Sequence, residues 1–509
     1  MLRYFEPRPK TRLVSIIAVF TLVLLLSSST AFVPISHAID GGNELACTTL
    51  GGNYNSSTST CTISGKSTLS TEVEFDTSST LLITTHGSLT ITGSGYLDNM
   101  GNITNYGSII LMNNDIENPG IYSVSGNFTN HGAITIKTNG DGTIGIEVNN
   151  LTNSGIVTVQ NVGSGSFGLA VEDNFTNSGT VIANNNGDYN FGVATAGNST
   201  NSGTMIAKNN GTYFSFGIIN IGNFTNTGSI TAQNIGTLSF GFANIGNFTN
   251  SGTMTAKNSG EAGGGILNAG NFTNSGTMTA QNSGDNSAGI YNGVIPLIGG
   301  PMNAPISSFN TIVPLADDGS SSLFNFTNSG TITLQNSGTD SIGLLNTGDF
   351  NSTSQGVITV KNSGTYSYGI ANNANFTNFG AITVQNKGTP SIGIYNAYEY
   401  FGPGIGNFTN LGTITIKNSE YAGIVNEGNF NNSGTITIRG SGYAGIINYA
   451  KFYNYGTINN YGAIENYGTF NNENTGTINN YGSFTIYLPG EFNNDGTFTG
   501  NPVSIVEQI

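Results

Sequence analysis

One stretch constrains this chain more than any other: residues 270–292, GNFTNSGTMTAQNSGDNSAGIYN, with near-copies starting at Gly222 and Gly246 and others following from Asn325. The anchor positions Phe128, Leu151, Phe175, Ser199, Phe224, Phe248 and Phe272 fall 23, 24, 24, 25, 24 and 24 residues apart, and the register resumes at Phe326, Phe350, Phe376, Phe408, Phe430 and Phe452. A strict period of this length marks a repeat architecture in which each unit buries its apolar face against its neighbours. Two helices per unit are excluded, because each unit carries several Gly and Asn that suit turns and penalise helix. Runs such as Thr277-Met278-Thr279-Ala280 and Thr413-Ile414-Thr415-Ile416 alternate polar and apolar residues, the period of a strand.

The fold class expected is therefore all-β: a single elongated parallel β-helix, or β-solenoid, with one coil every ~24 residues. Counted from the anchor, apolar residues recur at +6, +8, +16 and +18, glycines at +4, +12 and +17, and Asn at −1, +2, +10 and +20. The spacing predicts three strands per coil: around the anchor, around +5 to +9, and around +15 to +20. Roughly 13 such coils and a tail, stacked at ~4.8 Å, make a rod of about 70–80 Å. The turn asparagines are expected to ladder through their amides, as in stacked cross-β structures. At +9 the residues run Lys137, Gln160, Asn184, Lys208, Gln233, Lys257, Gln281, Gln335, Lys361, Gln385, Lys417 and Arg439. Cations are separated by amides until the last pair, which in-register stacking would favour and chance would also allow.

The organisation along the chain follows from breaks in this register. Residues 1–38 read as a secretory signal peptide: a basic start ending at Arg12, the apolar run LVSIIAVFTLVLLL and a small-residue site at Ala38. An uncleaved anchor is the alternative, for which the apolar run is short. Residues 39–100 read as an N-terminal cap. They contain both cysteines, Cys47 and Cys61, expected to pair in an exported chain, with two free thiols as the alternative. Residues 101–452 carry the ~24-residue repeats, interrupted by Pro-rich 293–323 and aromatic 397–405. Insertions of this kind often carry a solenoid's binding surface. Residues 453–509 repeat about every six residues (NYGTIN, NYGAIE, NYGTFN), the beat of hexapeptide-type coils with a narrower cross-section, ending in a C-terminal cap.

Charge and chemistry bound the function. The formal net charge is −15. Beyond Arg12 the chain holds 9 basic and 27 acidic side chains, so neither nucleic acid nor anionic lipid is an expected partner. No mature segment is long and apolar enough for membrane insertion, and no cofactor or metal motif is present; two cysteines are too few ligands for zinc. The adjacent acidic pairs are Glu172-Asp173 and Asp317-Asp318, read as a solvated turn and a loop, so no catalytic residue is expected. Sequons place Asn127, Asn150, Asn174, Asn198, Asn223, Asn247, Asn271, Asn325, Asn375 and Asn407 immediately before the anchors. If the anchor points inward, these point out, and a row of glycans becomes geometrically feasible, though repetition copies any accidental sequon and sugars at ~4.8 Å would crowd.

The recurring NFTNSGTMT and GIYN elements, as in Asn247–Thr255 and Gly289–Asn292, make residues 101 to about 500 resemble the parallel β-helix proteins of microbial surfaces, the adhesin and haemagglutinin-like passenger regions. That resemblance implies either adhesive or structural stalks or enzymes acting on polysaccharides. The chain departs from large autotransported adhesins in lacking a translocator barrel. It departs from pectate-lyase-like enzymes in lacking an acidic and basic cluster on one face. The expectation is a secreted or cell-surface structural or adhesive solenoid whose partners are cell-surface glycans or further copies stacked end to end. A polysaccharide lyase or hydrolase is the alternative. A third is ice binding through the Thr-x-Thr rows (Thr277/Thr279, Thr331/Thr333), which resemble those of β-solenoid ice-binding proteins but are broken at Ile156, Ile182, Ile206 and Val357.

Overall fold

In the computed structural model, residues 42–113, 120–211, 213–293, 324–396 and 406–507 are described. The signal-peptide expectation over 1–38 and the insertions at 293–323 and 397–405 lie outside them, Gly293 excepted.

The described chain is a parallel β-solenoid. Each coil contributes one strand to each of three ladders. In the coil of Phe326 these are Asn325–Asn328, Thr331–Asn336 and Ile342–Asn346, at −1 to +2, +5 to +10 and +16 to +20. Successive coils pair in register, for example Phe248 with Phe272 and Met254 with Met278. Long insertions do not disturb this: Asn271 pairs with Asn325, 54 residues later, and Asn375 with Asn407, 32 residues later. The second ladder holds 18 strands, and at ~4.8 Å per step such a stack is about 80 Å long.

Alternation explains the core. In the second-ladder strand Thr331–Asn336, Ile332 and Leu334 are buried between the half-exposed Thr331, Thr333 and Gln335. The anchors form one interior column, Phe326, Phe350, Phe376, Phe408, Phe430 and Phe452, with neighbouring ring centroids 4.6–4.8 Å apart. Three asparagine columns close the corners from inside. The +2 column runs Asn226–Asn250–Asn274, the +10 column Asn234–Asn258–Asn282, and the +20 column Asn244–Asn268–Asn292, each amide donating to the next at 2.7–2.9 Å. These side chains are at most 2 % exposed. The ladders satisfy amides that would otherwise cost free energy on burial.

Glycine is required where backbone and side chains crowd. Between coils, a Cβ on Gly276 would lie 2.1 Å from the carbonyl oxygen of Gly252 below it; within one coil, a Cβ on Gly217 would lie 2.6 Å from the Ala207 Cβ.

Coil stacking reaches back into the 39–100 segment. Thr60–Ile63, Thr80–Ile83 and Asn102–Asn105 already stack as first-ladder strands. The end-covering element is smaller: helix Gly42–Thr49, tied to the first coil through Cys47–Cys61, with Asn53–Asn55 antiparallel to Thr60–Ile63. At the other end the six-residue beat is one strand per beat. Lys451–Asn454, Thr457–Asn460 and Ala463–Asn466 continue the three ladders in a shorter coil.

Candidate functional surface

Because the repeat is in register, every outward side chain belongs to a row, and three rows carry chemistry. The first lies on the second ladder. The +9 residues pair in sequence: Lys208 with Gln233, Gln233 with Lys257, Lys257 with Gln281, Gln281 with Gln335, Gln335 with Lys361, Lys361 with Gln385, and Gln385 with Lys417. They stand one above another as the spacing predicts. The lysines are exposed and the glutamines half-buried, and the Gln281 amide donates to Gln335 Oε1 at 3.1 Å. No strand of this ladder contains Asp or Glu. Seven of the nine basic residues beyond Arg12 stand on it: Lys66, Lys137, Lys208, Lys257, Lys361, Lys417 and Arg439. The +7 position is Thr without a break from Thr231 through Thr255, Thr279, Thr333, Thr359, Thr383 and Thr415 to Thr437. Beside the +9 row runs a groove of about 710 Å³. Gln233, Lys257, Gln281, Gln335, Lys361 and Gln385 line it on one side, the residues two further on, Ile235, Ser259, Ser283, Ser337, Ser363 and Lys387, on the other, with buried asparagines between.

The second is the sequon row. Asn127, Asn174, Asn223, Asn247, Asn271 and Asn375 are exposed and Asn325 and Asn407 half-buried, each beside a buried anchor. Their amides are mutually engaged: Asn223 donates to Asn198, Asn247 to Asn223, Asn271 to Asn247 and Asn325 to Asn271, at 2.8–3.1 Å. Asn375 donates to Asp349 and Asn407 to Asn375.

The third is acidic and lies on the third ladder near the N-terminal end. Glu74 pairs with Asp98, Asp98 with Tyr122, and Tyr122 with Glu147. Asp98 is 3 % exposed, and its Oδ1 has no hydrogen-bond partner. Burial, reinforced by Glu74 and Glu72, pushes its carboxyl up to about 6. Burial first, then the hydrogen-bonded Glu172 beside it, raises the Glu147 carboxyl; burial raises Glu172 too. The sequence reads Glu172-Asp173 as a solvated turn, whereas Glu172 is half-buried and meets Glu147 on the preceding coil. The column was legible, since residues 74, 98, 122 and 147 are 24, 24 and 25 apart. It starts ahead of Gly101, where the recognisable NFTN-type repeat begins. Among the described residues no group of three or more His, Cys, Asp or Glu is placed to hold a metal ion.

In the C-terminal coils tyrosines stack at the corners, Tyr461 on Tyr481 at 4.9 Å and Tyr467 on Tyr487 at 4.4 Å, with the Arg439 guanidinium 5.3 Å from the Tyr461 ring centre.

Cys47 and Cys61 are joined, with Cα atoms 5.4 Å apart and both sulfurs buried. Among the described residues no helix is long and apolar enough to cross a membrane. No protein-family model matches the chain, and no curated protein or solved structure matches it.

Proposed function

We propose that this chain is an exported, non-catalytic solenoid that serves as a structural or adhesive element at or outside the cell surface, binding glycans along its length. The observation that carries the reading is the distribution of its polar chemistry. Thr, Gln and Lys form rows that repeat over many coils of the second ladder, which suits a ligand that is itself extended and repetitive. Catalysis by a polysaccharide enzyme needs acid and base groups converging on one bond. Among the described residues the Glu147–Glu172 pair comes nearest to it. Its two carboxyls are hydrogen-bonded to each other, too close to hold a glycosidic bond between them. Export is supported by the signal-like start and by the disulfide, a bond that persists in oxidising compartments.

The test is fractionation and adhesion together. The reading expects the chain in the extracellular or surface fraction, shortened at Ala38, and retained on a glycan array. A full-length chain confined to the cytosol, or one that binds no glycan, would overturn it.

A further inference from the structure

Charge on this solenoid is segregated, and the segregation points to the class of glycan. The chain as a whole is strongly acidic, yet the 18 strands of the second ladder carry cations and no carboxylate. Acidic residues do occur around the next corner, Glu261 and Asp340 among them; one oxygen of Asp141 accepts from the Ser164 N–H and one of Asp285 from the Thr339 N–H, both at 2.7 Å. They do not line the groove.

We propose that this groove binds an extended acidic polysaccharide, a chain of carboxylate-bearing sugars running parallel to the solenoid axis; the inference rests on the glycan-binding reading above. The lining supplies each kind of contact such a chain needs. Lys257, Lys361 and Lys387 are exposed ammonium groups for the carboxylates. Gln281 and Gln335, half-buried and tied to each other at 3.1 Å, present fixed amides, and the serines of the other side present hydroxyls to the ring oxygens. Lys257 and Lys361 stand three coils apart, ~14 Å at the spacing of stacked strands. A sugar unit advances its chain by about the rise of one coil, so the carboxylates of every third unit keep register with Lys257 and Lys361 while hydroxyls between them meet Gln and Ser. Lysine fits this role, because a single ammonium on a flexible stem tolerates imperfect register in a way that a bidentate guanidinium does not. A neutral polymer would leave the lysines unused. Single-stranded nucleic acid would also bring bases, and the groove lining holds no aromatic ring for them to stack on.

The experiment is affinity electrophoresis of the intact chain through gels containing alginate, dextran or single-stranded DNA, with wild type, Lys257→Glu/Lys361→Glu/Lys387→Glu, and Lys451→Glu as a control of the same kind of charge change on the first ladder. Thermal unfolding of each variant confirms that the fold is kept, as these side chains are exposed. Alginate should retard the wild type and the control alike, the triple variant should bind about tenfold more weakly, and dextran and DNA should retard none of them. Equal retardation of wild type and triple variant by alginate would overturn the groove assignment while leaving glycan binding intact. Retention of the wild type by dextran or by DNA as strong as by alginate would overturn the acidic-sugar assignment. Retardation by none of these polymers, together with an empty glycan array, would remove both readings.

Discussion

Inside the coil Asn250 and Asn274 stand one above the other, and the Asn250 side-chain amide donates to Asn274 Oδ1 at 2.8 Å. The link repeats onward, Asn274 donating to Asn328 at 2.8 Å, so each asparagine is both donor and acceptor in a column sealed from water. Where the column meets serine at Ser352, the Asn328 amide nitrogen and the Ser352 hydroxyl are left without partners. The column thus shows its own rule and the cost of breaking it.

Replacing Asn274 by Ala should therefore leave an unpaired donor below and an unpaired acceptor above. The expected loss is about 2 kcal/mol, read by denaturant unfolding. The outward neighbour Thr273→Ala should cost far less.

Gly276→Ala tests the contact between coils. The added methyl would meet the Gly252 carbonyl oxygen at 2.1 Å, and its nearest neighbours are all backbone atoms of Gly252 and Ser251, so no flexible atom can yield. A loss of about 3 kcal/mol, or failure to accumulate as folded protein, is expected.

The corner between the second and third ladders stores strain. Gly142 and Gly165 take positive φ there, but the equivalent residues in later coils are Tyr189 (58°), Leu238 (54°) and Ala262 (53°). A left-handed conformation costs a side-chain-bearing residue roughly 1–2 kcal/mol, and glycine's greater unfolded-state freedom takes back part of the gain. Leu238→Gly should raise stability by about 0.5 kcal/mol, visible as a small rise in Tm.

The acidic column sets a pH dependence of known sign. Asp98 has a folded-state value of about 6, above its ordinary 3.8, so the folded chain holds that proton more tightly than the unfolded one. Its contribution to stability is fully present below pH 3.8 and is lost as pH rises through about 6. The Glu147–Glu172 pair, raised by the same burial, acts in the same direction. Hydrogen exchange in the N-terminal coils should slow, relative to the C-terminal coils and after correction for intrinsic rates, between pH 7.5 and 5. Asp98→Asn should flatten that dependence.

Removing the disulfide with Cys47→Ser/Cys61→Ser should cost about 3 kcal/mol. The loosening should be concentrated at helix Gly42–Thr49 and strand Asn53–Asn55, since the coils beyond Thr60 are held by their own stacking. Proteolysis beginning at that end would report it.

Most of this architecture could be read from residues, because a solenoid translates sequence period directly into space. The Phe column, the three strands and the Lys/Gln row each follow from spacing alone. Two things did not. The acidic column begins before the first recognisable NFTN element, in coils whose spacing persists while their residues differ, Glu74 and Asp98 standing where later coils place Ala194 and Ile219. The left-handed corner was hidden because tertiary stacking holds Tyr189 and Leu238 in a conformation that their own propensities oppose. The groove was legible only in part: the +9 row came from the repeat, whereas the serine row gains meaning when the corner places it on the other side.

The most direct test of the whole reading is to incubate the purified chain with a panel of acidic and neutral polysaccharides, measuring retention and new chain ends in the same samples. The account predicts retention on acidic polymers with no new reducing or unsaturated ends, unchanged by Glu147→Gln. New ends that accumulate with time and vanish in Glu147→Gln would contradict it and make the chain an enzyme.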